Sequence, residues 1–108
     1  MYVYNPSNFS VNYATSAGSI SGRSWQSASM ANNTNYTNSF GKEIVVAARC
    51  NANGSYGWYD YCYVNDVLIV QAYWNAAVVG MTYIFEVPAG ATYRVNFPTG
   101  IAGVMILR

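Results

Sequence analysis

From Ile44 onward the chain repeats with a period of two, the spacing of a strand with one buried face. Ile44, Val46, Ala48 and Cys50 fall on one side, and Val45, Ala47, Arg49 and Asn51 on the other. Asn51-Ala52-Asn53-Gly54-Ser55-Tyr56-Gly57 is a run of turn formers. The pattern resumes from Trp58 to Val64, with Tyr59, Tyr61 and Tyr63 sharing a face. Asn65-Asp66 then separates two apolar runs, and both residues tolerate the positive φ that a two-residue hairpin turn requires. Val67 to Trp74 is apolar at nearly every position, so it reads as a strand partly buried on both faces. After a looser connection from Asn75 to Gly80, Met81 to Val87 alternates again, with Tyr83 and Phe85 opposite Ile84. Pro88-Ala89-Gly90 breaks that strand, because proline cannot donate to a ladder. Thr92 to Phe97 and Gly103 to Leu107 are the last two predicted strands. Short strands at regular spacing, with no helical period, predict an all-β sandwich or barrel.

Before residue 41 the chain is rich in Ser, Asn, Ala, Gly and Thr, although strand signals start at Ser24. The small-residue segment from Tyr13 to Gly22 suits either a linker or close chain-on-chain packing. The expected division is a stalk or lead-in over residues 1–31 and a β-domain over residues 32–108.

Composition narrows the function. Only 8% of residues are charged, against about 25% in soluble globular proteins. No apolar run approaches the ~20 residues that span a bilayer, so membrane insertion is not expected. The low charge is explained if another chain covers part of the surface, or if the surface is Ser, Asn, Thr and Tyr. Five basic and four acidic residues are spread singly. Nucleic-acid binding begins with a clustered basic footprint, so no nucleic-acid partner is expected. The chain has no histidine, which removes the usual general base and most zinc and iron ligand sets. No catalytic residue, metal site or cofactor is expected. Eleven tyrosines are the most distinctive count; each joins an apolar ring to a polar hydroxyl, as half-wet binding surfaces do.

Several stretches resemble the terminal domain of bacteriophage tail-fibre proteins. Tyr36-Thr37-Asn38-Ser39-Phe40-Gly41-Lys42-Glu43-Ile44-Val45-Val46 is similar to the segment that opens that domain. Tyr63-Val64-Asn65-Asp66-Val67 resembles its Tyr-Val-Asn-Gly hairpin, with Asp66 where glycine is usual. Glu86-Val87-Pro88-Ala89-Gly90-Ala91-Thr92-Tyr93-Arg94-Val95 is the most specific match, and Ile106-Leu107-Arg108 resembles the family's ending. Tyr13 to Gly22 is similar to stalk segments that precede such tips. The resemblance implies a virion structural protein, assembled in the host cytoplasm, that forms homotrimers and contacts a bacterial surface polysaccharide or lipopolysaccharide. It implies an antiparallel β-sandwich, a jelly-roll-like knob at the end of the fibre. In this reading Tyr93 restarts a strand, and its hydroxyl bonds back to the Pro88–Gly90 loop. Residues 52–62 and 71–80 depart from the family by being unusually aromatic.

Those departures hold the candidate ligand-binding set: Tyr56, Trp58, Tyr59, Tyr73 and Trp74, with Asn53 and Asp60 among the polar neighbours. Aromatic rings match the apolar faces of sugars, and neighbouring Asn, Ser and Asp side chains fix orientation. The same rings equally suit a core or a trimer interface, and by alternation Trp58 points inward with Cys62 and Val64. Cys50 and Cys62 are expected opposite one another on adjacent strands, within disulfide reach. A reducing cytosol favours two free, buried thiols. Arg49 and Asp60 are expected to pair across the same hairpin, or Asp60 to bind a sugar hydroxyl. A glycosidase needs two carboxylates about 5–9.5 Å apart, which four scattered acids do not suggest. The formal glycosylation acceptors at Asn8, Asn32, Asn35 and Asn53 are coincidences of an Asn- and Ser-rich chain. The functional expectation is adhesion; a purely structural trimeric fibre module and a lectin-like module are the alternatives.

Overall fold

The computed structural model describes residues 22–52, 57–75 and 80–108. Among the described residues are eight strands and no helix. They are β1 (Trp25–Ala28), β2 (Tyr36–Thr37), β3 (Ile44–Cys50), β4 (Tyr59–Val64), β5 (Val67–Tyr73), β6 (Thr82–Val87), β7 (Thr92–Asn96) and β8 (Ile101–Leu107). The first sheet has the order β1-β8-β3-β6 and the second β2-β7-β4-β5, with every neighbouring pair antiparallel. Two antiparallel sheets that share one core make an arrangement compatible with a β-sandwich.

The core follows from the alternation. Ile44, Val46, Ala48 and Cys50 of β3 are buried, as are Phe85 and Val87 of β6 and Val104 and Ile106 of β8. From the second sheet come Cys62, Tyr93 and Val95, with Phe97 just beyond β7. A fully buried Ile44 or Phe97 contributes about 2 kcal/mol through the apolar surface it removes from water.

Three features differ from the sequence expectation. Trp25–Ala28, expected in the lead-in, pairs with β8 from Trp25↔Leu107 to Ala28↔Val104. Residues 1–21 of that segment lie outside the described residues. β3 and β4 are not a hairpin: β3 is flanked by β6 and β8, and β4 by β5 and β7. The chain changes sheet at every connection between these eight strands except the Asn65-Asp66 turn. Finally, β5 is an edge strand rather than one buried on both faces. Val67, Leu68 and Ile69 are all exposed; an apolar run signals burial, but among the described residues nothing packs over this edge. Ile69 is the extra residue of a bulge, because Cys62 pairs with Val70 and Tyr63 with Leu68.

Side-chain amides tie the turns. Asn65 and Asp66 have φ of 51° and 62°, the paired left-handed conformations of a type I′ hairpin. Gly90 has φ 79°, and the Ala91 N–H donates to the Pro88 carbonyl at 3.1 Å, which closes the reversal. Asn38, almost fully buried, anchors that corner: its Nδ2 donates to the carbonyls of Lys42 (2.8 Å), Val87 (3.0 Å) and Pro88 (3.1 Å). Tyr93, expected to tether the same corner through its hydroxyl, packs its ring against Tyr36 with centroids 5.9 Å apart. Asn32 imitates a strand partner, its amide donating to the Phe97 carbonyl and accepting from the Phe97 N–H, both at 2.9 Å.

Candidate functional site

Alternation along β4 sends Asp60 and Cys62 inward and Tyr59, Tyr61 and Tyr63 to the outer face of the second sheet. The register of β5 and β7 then builds three rungs across that face. Tyr59 lies opposite Tyr73, Tyr61 between Gln71 and Asn96, and Tyr63 between Leu68 and Arg94. Ring centroids are 5.9 Å apart from Tyr59 to Tyr61 and 6.2 Å from Tyr61 to Tyr63. Tyr73 adds a fourth ring, 4.9 Å from Tyr59. The planes of Tyr59 and Tyr61 lie within 17° of each other. Tyr59 and Tyr73 are 39% and 54% exposed, so much of this aromatic surface faces solvent. At the far end Arg94 lies over the Tyr63 ring at 4.0 Å and pairs with Asp66 at 3.2 Å.

Behind this face Asp60 has no solvent exposure. Its Oδ2 accepts from the Trp74 indole at 2.6 Å and from the Tyr83 hydroxyl at 2.8 Å. Tyr83 belongs to β6 of the first sheet, so one carboxylate joins the two sheets. Bonds to an ionised acceptor are shorter and stronger than neutral ones. Burial, with donation to Asp60 second, raises the Tyr83 phenol pKa. Trp58 packs against Trp74 with centroids 5.1 Å apart and against the core, as its alternation predicted.

The structure thus divides the residues expected to bind ligand. Tyr59 and Tyr73 come together on the exposed face. Trp74 and Asp60 are buried behind it, where they hold the scaffold, and Trp58 is half-buried with them. Asn53 and Tyr56 lie outside the described residues. Sequence reasoning did not select Tyr61, Tyr63, Gln71, Asn96 or Arg94 for the site. The period-two spacing from Tyr59 carried the signal for Tyr61 and Tyr63; the other three became legible only through strand register.

The expected Arg49–Asp60 pair does not form, because Asp60 is interior to the second sheet whereas Arg49 is exposed on the first. Cys50 and Cys62 are free and buried, but on strands of different sheets rather than adjacent ones. Burial first, and the nearby Asp60 charge second, push the Cys62 thiol up to about 12. The Cys50 thiol is also raised, mainly by burial. Neither carries the depressed pKa of a reactive thiol.

The outer face of the first sheet differs in character. It exposes Trp25, Ile84 and Met105, around a cavity of about 310 Å³ lined by Ser27, Ala47, Arg49, Thr82 and Met105 among others. Among the described residues no group of three or more Cys, Asp or Glu side chains is placed to hold a metal ion. No family model matches the chain, and no curated protein matches it.

Proposed function

We propose that this domain is the receptor-binding tip of a trimeric phage tail fibre, adhering to a bacterial surface glycan through the tyrosine face of its second sheet. The observation that carries the reading is the three-rung row on β4. It sets exposed and half-buried rings, which can stack on sugar faces, beside amides and a guanidinium that orient hydroxyls. The resemblance over the Val87–Tyr93 turn supports the fibre assignment. The strand orders β1-β8-β3-β6 and β2-β7-β4-β5 support a jelly-roll arrangement of two four-stranded sheets. The domain assembles in the host cytoplasm and acts on the virion.

Adhesion here is reversible and breaks no bond. A glycosidase flanks the scissile linkage with two carboxylates. Among the described residues only one, Asp66, lies at the edge of the tyrosine face, and it is engaged by Arg94. Each site is shallow, so attachment draws its strength from three tips per fibre acting at high effective concentration. Sister chains cover apolar surface that one chain leaves exposed, such as Val67 and Ile84.

The test is binding of purified lipopolysaccharide and capsular polysaccharide to Tyr59→Ala and Tyr61→Ala variants, with Trp25→Ala on the other sheet as control. Loss of binding in both tyrosine variants alone supports the reading. Full binding in both rejects it. The exposed apolar residues of β5 and β6 favour a second reading, a purely structural trimeric module. In that case light scattering gives three times 11.9 kDa while no glycan binds.

A further inference from the structure

The rungs also constrain the form of the ligand. We infer that the β4 row takes an internal stretch of an extended, uncharged polysaccharide lying along the strand, one sugar per rung; this rests on the glycan-adhesion reading above.

The spacing is the first ground. Side chains on one face of a strand recur about every 7 Å, and here the ring centroids step by 5.9 and 6.2 Å. Each step is close to one pyranose ring with its linkage. A chain laid along β4 meets a new aromatic ring with each successive sugar. A single terminal sugar uses one rung and leaves the others idle.

The second ground is the arrangement of polar groups across the row. The middle rung sets an amide on each side of Tyr61, Asn96 on β7 and Gln71 on β5. Hydroxyls projecting from both edges of one sugar then find donors and acceptors together. The first rung is wholly aromatic, Tyr59 with Tyr73. In the third, the Arg94 guanidinium covers Tyr63, so a sugar there meets N–H donors instead of a bare ring. The rungs run from aromatic to amide to guanidinium, so a chain laid in one direction is distinguished from its reverse.

The third ground is charge. Arg94 and Asp66 are paired to each other, and the remaining residues of the three rungs are uncharged. An acidic polymer gains little at Arg94, because Asp66 already offsets its charge. A neutral polymer leaves the pair intact and loses nothing to screening by salt.

The experiment uses the full chain with neutral and acidic bacterial O-antigen and capsule polysaccharides, each cut into fragments of one to five sugars. Affinity is measured by calorimetry at low and high salt. For a neutral polymer, affinity is expected to rise at least tenfold from one sugar to three and then level off, with less than a twofold change in salt. Tyr61→Ala is expected to abolish that rise and Tyr61→Phe to keep it; an unchanged thermal midpoint in both separates contact from folding. Equal affinity for one sugar and three overturns the inference and leaves adhesion standing. So does binding restricted to acidic polymers that weakens steeply with salt. No binding to any fragment or parent polymer overturns both.

Discussion

The Trp74 indole donates to Asp60 at 2.6 Å, and this pair lies directly beneath the rung formed by their sequence neighbours Tyr59 and Tyr73. Period two puts one member of each dipeptide outside and the other inside. Binding surface and structural support are therefore specified by adjacent residues.

Asp60→Ala strands the buried Trp74 N–H and the part-buried Tyr83 O–H. Each buried donor left unsatisfied costs about 1–3 kcal/mol, so a loss of roughly 3 kcal/mol is expected. Asp60→Asn keeps a carbonyl acceptor and loses less. Urea unfolding of the two variants checks the order.

Alkali acts through the buried thiols, and above pH 10 through the Tyr83 and Tyr93 phenols as well. Cys62 ionises at about 12 in the fold instead of 9.0, and Cys50 also above 9.0. Raised folded values mean that the native state holds its protons while the unfolded chain releases them. The stability linked to these thiols is complete below pH 9 and declines as pH rises toward 12. A chemical-denaturation series from pH 8 to 11 is expected to show that decline, and Cys62→Ala to lessen it. At pH 8 a thiol reagent is expected to modify neither cysteine until denaturant is added.

Asn38 supplies one amide to three carbonyls and accepts from the Phe40 N–H at 3.1 Å. Asn38→Ala is expected to cost about 3 kcal/mol through buried groups left unpaired. Asn38→Asp replaces the donor with an acceptor facing carbonyls and is expected to be worse. Thermal midpoints rank the pair.

Strands were legible wherever alternation met strong turn residues, so β3, β4, β6 and β7 fall within a residue or two of their expected limits. The inward course of Asp60 was equally available from its neighbours Trp58 and Cys62. Its charge argued for the surface, and the deciding partners, Trp74 and Tyr83, come from other strands. The allotment of strands to sheets was not legible. β3 reaches β8 across some fifty residues, and no local pattern distinguishes that partner from β4. For the same reason Gln71, Asn96 and Arg94 joined the site only once register set them beside Tyr61 and Tyr63.

Asp66 stands at a left-handed position, φ 62°, where glycine avoids a cost of about 1 kcal/mol. Its pairing with Arg94, on a carboxylate side chain 70% exposed, returns at most a few tenths of that. Asp66→Gly is therefore expected to raise the thermal midpoint by about 2–4 °C. Asp66→Ala, which keeps the backbone cost and loses the pair, is expected to lower it. Differential scanning calorimetry distinguishes the two.

β8 lies between β1 and β3, yet follows both in the chain. During synthesis β1 has no partner, and β3 has only β6, until residues 101–107 have left the ribosome, so the first sheet closes late. Until then β1 and β3 present unpaired edges to any neighbouring nascent chain. Pairing at such sequence separation is intrinsically slow. A folding helper, if one serves this protein, has most to do in that interval.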